Sequence, residues 1–278
     1  IISFSTDEMD VEVLTEKGTI ENLIPYLEKS DVIGEEDIVD SAYQVLTADG
    51  GLYMLPTNFV LYTLITKEKW CSNKENFTFE EASRDLFLQE GAICGGYSGE
   101  TEDNRLEQYI KIAEQLPQQA MFQTNDLLMR EGKIPFNLEC IGDMQQYLYK
   151  KSVWGEDAVY TGFPGAEGKG RIFIFDNCFA INSQSAHKEE AWKFVESYFT
   201  EEGQKTIAPN WNFSILQDVL DQQLSDSRKQ EYYQTSDGKR EKLPILTYEI
   251  GSTYENVYAA QDEDIQDVRE MINNTKVM

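Results

Sequence analysis

Histidine is almost absent from this chain. His187 is the only one in 278 residues, and it follows Ser183–Ser185 at a helix start, where it needs no function. With a single imidazole, no Ser/His/Asp constellation stands out. Cysteine is sparse too: Cys71, Cys94, Cys140 and Cys178 are widely spaced and form no C-x-x-C pair. Together with the single histidine, this argues against zinc held at its usual ligand spacing. Cys94, Cys140 and Cys178 lie in apolar contexts and read as buried thiols, and the sequence leaves one disulfide open. Neither a P-loop nor a G-x-G-x-x-G run occurs. No stretch reaches the ~20 apolar residues of a membrane helix. Basic charge is in short supply, with 24 Lys and Arg against 50 Asp and Glu, a net charge of −26. Affinity for nucleic acid comes largely from cations that neutralise phosphates. This chain is repelled by phosphate and by an anionic membrane surface, so nucleic acid is not expected as a partner. The chain opens on IISF without Met or signal peptide and stops after INNTKVM, so it reads as a trimmed fragment of a longer polypeptide.

Aromatic residues, by contrast, are plentiful: 15 Tyr, 14 Phe and 4 Trp, or 12%. A Phe- and Tyr-rich core accounts for most of them. A saccharide cleft would account for an excess of Tyr and Trp, because flat rings pack on the apolar faces of pyranoses. The length is large for one core and comfortable for two lobes.

Along the chain, strands alternate with helices, which argues α/β. Ser5-Thr6-Asp7-Glu8 has capping-box spacing and opens a helix to Glu16, ended by Gly18. A helix is expected over 35–46. Another should follow Thr78-Phe79-Glu80-Glu81, with a strand at 91–94 and helices over 104–115 and 125–131. KIPFNLECI reads as a strand, GDMQQYLYKK as a helix and AVYTGFPG as a strand. Ala191, Phe194, Val195, Tyr198 and Phe199 mark one apolar helix face. A short helix covers 216–224, the polar run 225–242 reads as a surface loop, and helices are expected from Thr253 onward. Two extended stretches, 52–66 and 171–182, are too long for one average strand. Each is broken in the middle, at Pro56-Thr57-Asn58 and at Asp176-Asn177. A strand that leaves one sheet, bends and enters a second would look like this, and two such crossings make a two-lobed protein with a cleft.

The segment DGGLYMLPTNFVLYTLITKEKW resembles the first lobe-crossing segment of the extracellular solute-binding proteins of ABC importers, the group that includes maltose-binding protein. NCFAINSQSAHKEEAWKFVESYFTEEGQ resembles the return strand and Ala-Trp-x-Phe helix of that family. MREGKIPFNLECIGDM and AVYTGFPGAEGKG are similar to its lobe-two strand–helix unit and Pro-Gly turn, and IISFSTDEMDVEVLTEKGTIENLIPYLEK to the segment before the crossing. All five stand in the family's order and spacing and span nearly the whole chain. The resemblance implies an α/β, two-lobed periplasmic-binding-protein-like fold of type II, with lobe one incomplete because two strand–helix units before IISF and the lipobox cysteine are absent. It places 1–57 in lobe one, 58–178 in lobe two, 179–242 back in lobe one, and 243–278 as C-terminal helices packing toward lobe two or the hinge.

The resemblance also implies the function: reversible capture of a small solute, a sugar or oligosaccharide first, and delivery to ABC permease subunits in the membrane. It implies a monomer on the cell surface, anchored as a lipoprotein in the full-length protein, with no cofactor, no metal and no chemistry on the solute. The ligand contacts it suggests are Phe4, Asp7, Asn58, Phe59, Tyr97, Asn137, Glu139, Trp211 and Tyr254, with Pro56, Thr57, Asp176 and Asn177 at the hinge. Four of them have a plainer reading: Phe4 as core, Asp7 at a helix N-terminus, Asn58 in a bend and Tyr97 on a loop. A glycoside-active enzyme built on a carboxylate pair and a surface adhesion module on the same fold stay open as alternatives.

Overall fold

The computed structural model describes residues 1–6, 9, 11–48, 50–71, 129–132, 136–162, 171–207 and 212–275. In chain order its main elements begin with β1 (Ile2–Phe4), α1 (Val11–Glu16), α2 (Ile24–Leu27), α3 (Asp40–Leu46) and β2 (Asn58–Lys67). Next come β3 (Phe136–Ile141), α4 (Met144–Trp154), β4 (Ala158–Tyr160), β5 (Ile172–Asp176), β6 (Cys178–Ala180), α5 (Lys188–Glu196) and α6 (Glu201–Ile207). The last are β7 (Phe213–Ser214), α7 (Gln217–Asp226), β8 (Tyr232–Gln234), β9 (Arg240–Lys242), β10 (Leu246–Ile250), β11 (Thr253–Val257) and α8 (Asp262–Asn273). The fold is α/β, and the chain divides into two compact units: residues 1–61, 173–226 and 275–278 form one, and 62–172 with 227–274 the other.

In the first unit, β1 and β6 pair antiparallel with Ile2 opposite Ala180 and Phe4 opposite Cys178, and Leu55 bridges Phe179 beside them. Three residues later β2 begins, and its first residues pair with β7, Asn58 opposite Ser214 and Phe59 opposite Phe213. The chain therefore changes ladder across Pro56 and Thr57. Proline has no N–H to donate, so it fits at a break between ladders and would spoil either one from within. The return stretch does the same in reverse. β5 pairs with β2, β6 pairs with β1, and between them Asn177 has φ +48°, the one positive φ among the described non-glycine residues. The mid-strand breaks in the sequence are sheet changes.

Rings fill the core here. Phe59 meets Phe173 edge-on at 5.1 Å between centroids and Phe213 at 5.8 Å, and Phe173 stacks on Phe175 at 5.3 Å. The face of α5 differs from expectation. Ala191, Trp192 and Val195 are buried, while Phe194 is 46% exposed, lying against Tyr198 and Phe179. At 100° per residue the centre of the buried face lies between Ala191 and Trp192, which carries Phe194 to its edge. Trp192 packs on Tyr26 and donates its Nε1–H to Glu196.

In the second unit, the last residues of β2 pair with β4, Ile65 opposite Tyr160 and Lys67 opposite Ala158. The Asp143 carboxylate caps α4 by accepting from the Gln146 N–H, and the helix lays Val153 and Trp154 on Ile65, Met129 and Ile250. Lys151 to Asp264 at 2.7 Å and the Tyr147 hydroxyl to Asp267 at 2.9 Å tie α4 to α8.

Two expectations fail in this unit. The run 225–242, expected as a loop, ends α7 and then forms a hairpin over 232–242, with Tyr232 opposite Lys242 and Gln234 opposite Arg240, turning at Gly238 with φ +83°. Thr253–Val257 is the strand β11, with Ile250 opposite Thr253 across Gly251-Ser252. Gly251 has φ +63°, and a glycine first in a two-residue turn is hairpin chemistry. That turn and the β-branched and aromatic residues after it outweigh the helical reading. The run 227–242 also belongs to the second unit, where the resemblance placed it in lobe one. The expected elements at 78–88, 91–94, 104–115 and 125–128 lie outside the described residues.

Asn177→Val puts a β-branched residue in the left-handed region and should cost about 1–3 kcal/mol, whereas Asn177→Gly should cost under about 1 kcal/mol. Urea unfolding of both variants checks this, and equal midpoints would contradict the strain.

Candidate functional site

Four stretches distant in sequence meet at the β5–β6 junction of the first unit. From the N-terminal stretch, the Thr6 hydroxyl accepts from the Phe175 N–H at 2.9 Å, and the Thr6 N–H donates to the Phe175 carbonyl at 3.0 Å. From the β2 entry, the Asn58 Oδ1 accepts from the Thr57 hydroxyl at 3.2 Å and from the Asn177 side-chain amide at 3.3 Å. From the junction itself, the Asp176 carboxylate accepts from the Asn177 N–H at 2.8 Å. Its other oxygen accepts from the side chain of Asn212, the residue before β7, at 3.2 Å. Asn58 and Thr57 are buried, while Asp176 and Asn212 are half-buried and Asn177 is exposed. The cluster is a set of amide, hydroxyl and carboxylate groups held by strand ends. Such groups bind hydroxyl-rich molecules through donors and acceptors together.

Of the residues the sequence singled out, the structure brings Asn58, Asp176 and Asn177 together here, with Thr57 and Pro56 at the break beside them. Phe4 is buried on β1 opposite Cys178, and Phe59 lies in the ring core. Asp7, Tyr97 and Trp211 lie outside the described residues. Asp7 follows Thr6 and Trp211 precedes Asn212, both members of the cluster. Thr6 and Asn212 themselves were missed; being one residue from a named candidate was the only signal.

Asn137 and Glu139 stand in the second unit on β3, both buried. The Asn137 amide donates to Glu139 at 2.7 Å, and Lys150 of α4 meets the other carboxylate oxygen at 3.1 Å. Tyr254, expected to open a helix, is 75% exposed on β11. Arg171 is a further residue that the sequence did not flag. Its Nη2 donates to the Tyr160 carbonyl, its buried Nε has no acceptor among the described residues, and burial pulls its pKa down to about 10. It is still a cation at neutral pH.

Around α4, burial pushes two phenols up. Tyr147, which also faces Asp267, and Tyr160, which faces Tyr147 and Glu139, both sit above the ordinary value near 10. Elsewhere, His187 is exposed, 3.9 Å from Glu190. No group of three or more His, Cys, Asp or Glu among the described residues is placed to hold a metal.

No family model matches the chain, and no curated protein matches it. Solved structures do. One is an ABC transporter solute-binding protein from Thermotoga lettingae TMO bound with α-D-tagatose, 13% identical with a TM-score of 0.43, covering 76% of this chain and 66% of that one. Another, from Agrobacterium vitis S4 with bound D-mannitol, is 14% identical with a TM-score of 0.45, covering 78% and 64%. A third is the maltose–maltodextrin binding protein of Alicyclobacillus acidocaldarius, 13% identical with a TM-score of 0.40, covering 78% and 66%. The chain thus spans about two-thirds of the length of these proteins. No residue role passes from them to this chain.

Because the folded state holds the Tyr147 proton above the unfolded pKa near 10, its contribution is fully present below pH 10 and is lost as pH rises above it. Stability should fall above pH 10, with Tyr160 acting in the same direction. Tyr147→Phe should make that fall shallower by about 1 kcal/mol per pH unit, read from urea midpoints between pH 9.5 and 11.5. An unchanged slope would contradict the assignment.

Proposed function

We propose that the chain is the solute-binding component of an ABC-type importer. It takes up a small solute outside the cell, with sugars and oligosaccharides first, and passes it unchanged to membrane permease subunits. The observation that carries the reading is the meeting of residues 6, 57–58, 176–177 and 212 at one junction of the first unit. The sequence resemblance, in five segments of matching order, supports the same reading. The junction offers a solute hydroxyl the Asp176 carboxylate as acceptor and the amides of Asn177 and Asn212 as donors. Asp7 and Trp211, each next in the chain to a cluster member, are ligand contacts that the sequence resemblance suggests. A closing motion would concentrate its backbone rotation where the chain passes between the units, at Leu61–Tyr62 and Ile172–Phe173, a few residues from the sheet changes. Solute binding favours the closed state only to the extent that its contacts differ between the two states. Binding without turnover is the function proposed.

A thermal-shift screen against mono- and oligosaccharides tests this. A ligand at about 100 times its Kd adds about 2.7 kcal/mol of stability. The expected result is a clear upward shift for at least one sugar, lost in Trp211→Ala and reduced in Asp176→Asn. A panel without any shift would count against a sugar solute. Release of product from chromogenic glycosides would replace binding with catalysis.

A further inference from the structure

Of the ten large apolar side chains exposed among the described residues, six lie on or beside the two hairpins of the second unit: Tyr232, Tyr233, Leu243, Ile245, Tyr254 and Tyr258. Exposed apolar side chains concentrated in this way mark a recognition surface. Between the hairpins runs an open groove of about 660 Å³, within the size range of small-molecule sites. Nothing in the function proposed above uses it.

We propose that this groove is a separate saccharide-binding site, sized for one or two pyranose rings. Tyr233 and Tyr258 line it with Leu243 and Pro244, giving flat and apolar surface for the C–H faces of a sugar. Its polar lining is Glu241, Lys242 and Asn256. The Tyr233 hydroxyl donates to one Glu241 oxygen at 2.8 Å, which fixes the carboxylate and leaves its second oxygen as an acceptor. Asn256 accepts from the Thr247 hydroxyl at 2.8 Å through Oδ1, so its NH2 group is without a partner among the described residues. The Lys242 ammonium stands 5.9 Å from the centre of the Tyr258 ring, with no carboxylate facing it among the described salt bridges. Rings, one acceptor and two donors make an amphipathic lining that matches a molecule apolar on its faces and hydroxylated at its rim.

The backbone argues against the other obvious occupant, an extended peptide adding a strand. Such a peptide binds by main-chain hydrogen bonds. Along this wall they are spent or missing. The Leu243 N–H donates to the Glu231 carbonyl and the Ile245 N–H to the Val257 carbonyl, both at 2.8 Å, and Pro244 has no N–H. The Leu243 carbonyl already accepts from the Gln230 side chain at 2.7 Å. Recognition here falls to side chains.

The test titrates the chain with methyl glucoside, methyl galactoside, maltose, cellobiose and galacturonate. Binding is followed by saturation-transfer NMR and calorimetry in the parent, Tyr233→Ala, Tyr258→Ala, Glu241→Gln and Trp211→Ala. The three groove positions are at the surface, and an unchanged circular dichroism spectrum and melting temperature confirm each fold. The expected result is a saccharide whose affinity falls tenfold or more in Tyr258→Ala and Glu241→Gln and persists in Trp211→Ala. A saccharide lost in Trp211→Ala and indifferent to the groove variants would overturn the groove while supporting the function proposed above. Loss in both sets, or no binding by any of the five, would also overturn it.

Discussion

Everything in this structure hangs on one ten-residue strand. β2 runs from Asn58 to Lys67, and its two ends are paired by different partners, β7 at the start and β4 at the finish. The boundary between the compact units falls inside it, between Leu61 and Tyr62. A buried backbone must have its N–H and C=O groups paired, so neither end of this strand can shift without undoing a ladder. The same demand reaches its side chains: Asn58, Thr63 and Thr66 are buried on a strand otherwise filled by Phe59, Leu61, Leu64 and Ile65. Thr63 meets it by accepting from the Gly162 N–H beyond β4, and Asn58 by accepting from Thr57 and Asn177.

This constraint was legible in the sequence because the chain has to announce it. A proline with no donor and an Asx pair with its own turn chemistry interrupt two long apolar runs, and both mark real changes of sheet. The helix α5 was legible in place but not in face, because six apolar or aromatic residues in the nine positions 191–199, which run three residues past α5, leave the direction of the stripe to tertiary packing. Trp192 won the buried side and Phe194 did not. The two hairpins of the second unit were hidden for a different reason. The strands of the first are short and exposed on every residue, Tyr232–Gln234 and Arg240–Lys242, so no buried face imposes a period of two and only Asp237-Gly238 betrays it. In the second, Leu246, Tyr248 and Ile250 alternate with exposed Thr247 and Glu249 ahead of the Gly251-Ser252 turn, a short strand signal that the sequence reading passed over. Members of the junction cluster were singled out one by one, Asn58 as a ligand contact and Asp176 and Asn177 as hinge, but not as a set. Asn58, Asp176 and Asn177 were each named, while the bonds of Thr6 to Phe175 and of Asn212 to Asp176 span more than 30 positions.

The two units treat polarity differently. In the first, amides and a carboxylate gather at a strand junction that opens partly to solvent. In the second, two carboxylates are buried and each meets a lysine, Glu139 with Lys150 and Asp264 with Lys151. Breaking a buried pair strands a charge and costs several kcal/mol, although a well-packed apolar replacement can be neutral. Such pairs therefore hold register between β3, α4 and α8 more than they add stability.

The central claim is that this chain holds an intact solute and does nothing to it. Native mass spectrometry of the chain incubated with a maltooligosaccharide and monosaccharide panel reads this directly. The account predicts a complex whose mass is the protein plus a whole number of intact sugar molecules, with the free sugar unchanged after prolonged incubation. A panel that leaves only the bare protein mass, or sugar recovered in cleaved form, would contradict it.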